Sequence, residues 1–149
     1  MARTGAKIGM KTLFEREHPF GSGTYVAVAE VKTIGGPSMS RDALEATHMS
    51  SDDDHAEYIS GVPDGGEVSL LLNFRPDAAS QGEASGLLND LQAGTFRNWR
   101  VRWPQFTNTP TLTFGGIVTG YEPSSATRDV LSVAVKVKVS GKPVATNFA

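Results

Sequence analysis

The sequence predicts an all-β sandwich or barrel of about six strands with one α-helix. Glycine (16) and proline (8) cut the 149 residues into short segments. Most of those segments alternate apolar and polar residues with a period of two, as a sheet with one dry and one wet face requires. A single segment shifts to helical spacing. The length fits one domain able to bury roughly two-thirds of its unfolded surface.

The elements follow in chain order. Residues 1–23 lack a strong period and read as an extended N-terminal arm. From Thr24 to Ile34, Tyr25, Ala27, Ala29 and Val31 share one face and Val26, Val28, Glu30 and Lys32 the other. A weaker strand covers about Met39 to Thr47. Residues 48–57 (HMSSDDDHAE) contain almost no core-forming side chain and read as a mobile loop. Val62-Pro63-Asp64-Gly65-Gly66 is a turn, because Pro fixes φ and Asp-Gly admits a left-handed residue. Glu67 to Phe74 places Val68, Leu70, Leu72 and Phe74 opposite Glu67, Ser69, Leu71 and Asn73.

Ser80 to Ala93 sets Ala84, Leu87, Leu88 and Leu91 at helical spacing, with Ser80 as N-cap and Gly94 as stop. Gly82 and Gly86 each weaken that helix by about 1 kcal/mol, so it needs tertiary packing. Phe96 to Trp103 alternates Arg97, Trp99, Val101 and Trp103 with Asn98, Arg100 and Arg102. Thr111 to Glu122 is β-rich but carries Gly115-Gly116, the mark of a bulge or bend. In Asp129 to Ser140, Leu131, Val133, Val135, Val137 and Val139 alternate with Ser132, Ala134, Lys136, Lys138 and Ser140.

Composition removes several function classes. No cysteine means no disulfide, thiolate nucleophile or thiolate metal site. A net charge of -2 argues against a protein that grips nucleic acid through its phosphates. No run of about 18 apolar residues spans a bilayer, and charges through residues 7–17 leave no signal-peptide core. The expectation is a soluble intracellular product, or one that leaves the cell by another route.

Catalytic constellations are weak. Asp52-Asp53-Asp54 between His48 and His55 has metal-ligating side chains but lacks the ligand spacing of a calcium loop, so a solvated acidic loop is the better reading. Asp53 and Glu57 form a carboxylate pair without a predicted pocket to separate their pKa values. No phosphate loop, nucleophile elbow or zinc-protease helix occurs. Arg97, Trp99, Arg100, Arg102 and Trp103 mix cations with aromatics, as single-strand binders do. The alternation instead puts Trp99 and Trp103 in the core and Arg100 and Arg102 in water.

Charge distribution says more. Residues 41–67 hold eight of the 16 acids and one cation, Arg41, whereas residues 97–142 hold seven of the 14 cations and two acids. Complementary blocks on one small domain suit head-to-tail self-association. A loop with three consecutive aspartates orders only against a partner. Arg100, Arg102, Lys136 and Lys138 are the expected receivers on a neighbouring copy, opposite His48, Asp52, Asp53, Asp54, His55 and Glu57.

The order of segments resembles a known family. Tyr25 to Pro37 (YVAVAEVKTIGGP) is followed by Arg41 to Met49 (RDALEATHM), the acidic loop, and Tyr58 to Val68 (YISGVPDGGEV). After the helix and the arginine–tryptophan strand come Phe114 to Tyr121 (FGGIVTGY) and a VKVKVSGK end. Over about residues 20–142 this is similar to the major tail tube protein of long-tailed bacteriophages, the lambda-like siphophage family. The resemblance implies a β-sandwich or half-barrel of about six to eight strands with a flanking helix (about 80–93). It divides one domain into an arm (1–23), a β core (24–142) and a tail (143–149), without the extra immunoglobulin-like domain of some relatives.

It further implies a structural virion protein, not an enzyme, without cofactor or metal. The implied assembly is hexameric rings, stacked into a hollow tube through which double-stranded DNA passes. The long loop at about 48–58 would reach the adjacent ring. Implied partners are identical copies, a tape-measure protein, a tail terminator and tail-tip proteins, in a tail built in the host cytoplasm. Because DNA must slide, lumen-facing side chains should be neutral or acidic on balance, with Glu30, Glu67 and Ser69 as candidates. The competing expectations are a small-molecule-binding barrel, a nucleic-acid-binding barrel using Trp99 and Trp103, or another β-rich tail part such as a terminator.

Overall fold

The structure, a computed structural model, describes residues 4–149. Nine strands form a seven-stranded antiparallel sheet and a separate two-stranded hairpin. The strands are β1 (Leu13–Glu17), β2 (Tyr25–Ala27), β3 (Val31–Gly35), β4 (Ser40–Glu45), β5 (Tyr58–Asp64), β6 (Glu67–Asn73), β7 (Arg97–Arg102), β8 (Thr111–Ser124) and β9 (Ser132–Thr146), with helix α1 at Leu87–Ala93. The large sheet runs β2-β1-β7-β8-β9-β6-β3, and the hairpin is β4-β5.

The two edge strands of the large sheet, β2 and β3, are neighbours in sequence. The sheet therefore curls until Val28 to Glu30 can bridge its edges. Val28 donates its N–H to the Phe14 carbonyl at 2.9 Å, and the Glu30 carbonyl accepts from Asn73 N–H at 3.0 Å. The single strand expected over 24–34 is thus two, broken where Glu30 takes φ 55° and Val28 turns into the core. The sheets are unclosed.

The alternation on β6 and β9 places Val68, Leu70, Leu72, Val133, Val135, Val137 and Val139 inside the curl. Trp99 and Val101 from β7, Phe114 and Val118 from β8, Phe14 from β1, Val28 from the β2–β3 link and Leu87 from α1 complete the cluster. Phe14 stacks on Trp99 at 5.7 Å between centroids and meets Phe114 at 6.5 Å. Burying each such side chain is worth about 1.5–3 kcal/mol, so this cluster supplies most of the cohesion.

Two expectations need correction. The arm expected at 1–23 is only partly an arm. Leu13 to Glu17 pairs with both β2 and β7, and Phe14 to Glu17 are buried; residues 1–3 lie outside the described chain. The tail expected at 143–149 likewise contains the end of β9, which pairs with β8 through Thr146.

The helix expected over 80–93 is helical only from Leu87. Ser80 does not cap it: its hydroxyl oxygen accepts the Ala29 N–H at 3.1 Å. Gln81, fully buried, donates Nε2 to the Ala29 and Asn73 carbonyls and accepts the Arg75 N–H. These bonds hold 80–86 in successive turns. A side chain at Gly86 would meet the Ala79 carbonyl at 2.7 Å, so glycine is required there. Gly94 stops the helix in the left-handed region, as expected.

Candidate functional site

The β4–β5 hairpin contributes no residue to the core. Both strands are exposed nearly throughout, with Leu44, Tyr58, Ile59 and Val62 at 50%, 61%, 58% and 86%. Leu44 pairs with Ile59 and Glu45 with Tyr58. Each strand has only the other as partner, so two unpaired backbone edges stand open. An isolated two-stranded hairpin is marginal in water, and open edges invite pairing with another chain.

At its tip lie the predicted loop residues. Asp52–Asp54 form a short 3-10 turn, fully exposed, with Asp53 and Asp54 at positive φ. The loop expected to be floppy has its own bonds. Ser51 Oγ donates to Glu57 Oε2 at 2.7 Å, His48 Nε2 lies 3.3 Å from the same oxygen, and His48 Nδ1 accepts the Ser50 N–H. His55 is exposed beyond the turn, its N–H bonded to the Asp52 carbonyl. Ser51 donates to Glu57 rather than to the imidazole, so the trio is not a nucleophile–base pair. Among the described residues no three of His, Asp and Glu converge as metal ligands.

At the hairpin base Asp64 accepts the Gly66 N–H at 2.8 Å and faces Lys138 Nζ at 3.6 Å. The amide hydrogen bond first, and the Lys138 ammonium second, hold its carboxyl below the usual carboxylate range.

The open face of the central sheet gathers residues that the sequence assigned to different roles. Glu67 lies opposite Lys138 and Ser69 opposite Lys136 across β6 and β9. The lumen candidates Glu67 and Ser69 and the contact candidates Lys136 and Lys138 are therefore cross-strand neighbours. Glu30 is elsewhere, in the β2–β3 link, with its carboxylate 3.4 Å from Arg75.

Arg100 and Arg102 also lie on the outer side of the sheet, but they are occupied. Arg100 reaches Glu15 Oε2 through Nε at 3.0 Å and Nη2 at 2.7 Å, and Arg102 reaches Oε1 at 3.0 Å. Arg100 also sits 4.1 Å over the Tyr25 ring. Burial, and next the Glu17 carboxylate, push the Tyr25 hydroxyl up. The acid expected from a neighbouring copy thus comes from β1 of the same chain.

Sequence reasoning also missed the buried charge cluster. Asp90, fully buried on α1, binds Arg16 Nη1 at 2.9 Å and Arg97 Nε at 2.7 Å. Arg16 also donates to the Ser85 carbonyl and Arg97 to the Glu17 carbonyl. Burial lowers the Arg16 pKa, opposed by the Asp90 charge. The cluster ties β1, β7 and α1 together. Its only sequence signal was charge at a dry position, since Arg97 shares a face with Trp99.

Trp99 is fully buried and donates Nε1 to the Gly116 carbonyl at 3.1 Å, so it cannot stack on a base. Trp103 packs partly against the core and edge-on to Phe148. The interior is filled by the aliphatic and aromatic cluster. One cleft, of about 620 Å³, is a surface seam between β3 and the β1–β7 side, lined by Met10, Val31, Ile34, Val101 and Trp103; a second, of about 1030 Å³, opens at the hairpin base, lined by Met39, Arg41, Val62, Pro63, Val139 and Lys142.

Comparison with known proteins sharpens this. No curated protein matches the sequence. In fold the chain is similar to the tail protein of an empty gene transfer agent particle refined with C6 symmetry, at TM-score 0.74 and 19% identity, covering 95% of this chain and 99% of that one. It is similar to the SPP1 tail tube protein at TM-score 0.67 and 11% identity, over 93% and 77% of the two chains. A chain of the PVC sheath–tube complex of an extracellular contractile injection system matches at TM-score 0.64 and 10% identity, over 91% and 87%. The profile of the family described as lambda phage tail tube protein matches residues 11–146, and the chain belongs to that family.

Proposed function

We propose that this chain is the building block of a phage tail tube: it assembles as six-membered rings that stack into a hollow cylinder, and the genome passes along the channel. The observation that carries the reading is the β4–β5 hairpin, whose two strands hold four large apolar side chains and two free edges in water. Such a surface is costly for a monomer and useful only when covered. In the assembled tube the hairpin reaches the neighbouring ring, and family membership supports the tube role.

The open face of β6, β9 and β8 is the proposed channel lining. It carries small or neutral groups (Ser69, Ala134, Thr119) beside Lys136 and Lys138. Asp64 and Glu67 offset Lys138 locally. A near-balanced lining lets DNA slide, whereas a strongly cationic one would hold its phosphates. The tape-measure, terminator and tail-tip proteins are the partners this role requires, and the virion tail is its place.

The test is sedimentation over a range of concentrations. The full chain should shift from monomer to large assemblies as concentration rises. A variant with residues 46–57 replaced by a two-residue turn should remain folded but small. A full chain that stays monomeric at every concentration contradicts the proposal.

A further inference from the structure

The seam beside β3 has two ordered walls. Gly9 to Thr12 close a turn, with the Thr12 N–H on the Gly9 carbonyl at 3.2 Å and Lys11 at φ 75°. Gln105 fastens that turn, donating Nε2 to the Ile8 carbonyl at 3.1 Å and to the Thr12 hydroxyl at 2.9 Å. The turn lines one side of the cleft and β3 the other. The register of β3 slips between Val31 and Thr33, so Val31 and Ile34, three residues apart, both pack against the core. Val101 and Trp103 line the cleft from the β7 side, and Phe148 holds Trp103 edge-on at 5.9 Å between centroids.

The charges on this cleft have one sign. Lys11 and Lys32 line it, both are exposed, and neither forms an ion pair among the described residues. No acidic side chain lines it. The second cleft, at the hairpin base, carries Arg41 and Lys142 together with Asp42 and Asp64, and so selects no charge. At about 620 Å³ the seam has the size of a small-molecule site. Its apolar walls call for an apolar body, and its two unpaired ammonium groups call for an anionic head.

We infer that the seam binds a long-chain carboxylate, with the alkyl chain laid on Met10, Val31, Ile34 and Trp103 and the carboxylate at Lys11 and Lys32. Burial of the chain supplies the affinity, about tenfold for every two methylenes, and the ammonium groups select the head. The filled interior of the sheet takes no part. Binding needs one folded copy only, so it stands apart from the tube reading.

The test titrates dilute full-length protein with dodecanoate below its micelle-forming concentration, followed by calorimetry and by tryptophan fluorescence, which Trp103 should report. Saturable binding of one dodecanoate per chain is expected. Decanoate should bind about tenfold more weakly for its two missing methylenes, and dodecylammonium about tenfold more weakly for its head group. Lys11→Glu with Lys32→Glu should invert that preference, weakening dodecanoate and strengthening dodecylammonium, each about tenfold. Both lysines are exposed, so the fold tolerates the exchange, and an unchanged urea midpoint checks this. Lys142→Glu, at the other cleft, should alter neither affinity. Uptake that does not saturate, equal affinity for the two head groups, or a preference that the exchanged lysines leave unaltered overturns the inference.

Discussion

Asp90→Asn should destabilise the fold far more than an ordinary charge removal. The carboxylate is fully buried and is the shared partner of Arg16 at 2.9 Å and Arg97 at 2.7 Å, whose side chains are 3% and 8% exposed. Asparagine keeps the volume and one acceptor but leaves two guanidiniums buried without a counter-charge. Removing one member of a buried pair costs about 3–5 kcal/mol, and solvent screening does not reduce that here. Against a total stability of about 5–15 kcal/mol this is a large share. It corresponds to a fall of roughly 10 °C in Tm for a chain of this size. The assay is urea unfolding of dilute protein followed by tryptophan fluorescence. The control is Asp77→Asn, which removes an exposed partner of Arg75 and should leave the midpoint unchanged. Replacing the triad together (Arg16→Met, Asp90→Leu, Arg97→Met) should recover most of the loss, because no buried charge then remains. A loss below about 1 kcal/mol for Asp90→Asn would refute the claim that this carboxylate holds β1, β7 and α1 together.

Phe14→Ala should cost about 3–5 kcal/mol in the same assay, since it empties a site between Trp99 and Phe114; a loss within experimental scatter contradicts β1 as a core strand. Gly116→Val should cost about 1–3 kcal/mol or more, because a Cβ there runs into the Lys138 carbonyl across the β8–β9 ladder; wild-type thermal stability would contradict that register. Asp64 has a folded pKa below its ordinary value, so its contribution is present above that ordinary value and fades as pH falls through the lower folded one. The Gly66 amide resonance should therefore titrate with a midpoint below the usual carboxylate range, and a midpoint at or above it contradicts the pairing.

What could be read from sequence depended on whether one side of a segment was dry. The valines of β9 and the Val68–Leu70–Leu72 row of β6 alternate against polar residues because only one face of each strand is covered. Leu13–Glu17 escaped because Phe14 to Glu17 are all buried, and its charges find partners far away in sequence: Glu15 with Arg100 and Arg102, and Arg16 with Asp90. A strand whose polar groups are satisfied by distant arginines looks like a solvated arm until those arginines are placed. The shortened helix has the same origin. The local signal at Ser80 was genuine capping chemistry, but Ser80 and Gln81 bind the β2–β3 link instead, so tertiary hydrogen bonds overrode propensity. The charge split between chain halves was legible; that Arg100 and Arg102 are occupied at home was not. Where the contact candidates were exposed by pattern, at Asp52–Asp54, Lys136 and Lys138, the structure leaves them exposed.

The central claim is that copies of this chain close into six-membered rings around a channel. Electron cryomicroscopy of concentrated protein, viewed end-on, measures it most directly. Hollow cylinders with six copies per ring and the β6–β9 face toward the channel are predicted. Solid fibres, rings of another number, or a field of single molecules at every concentration would contradict it.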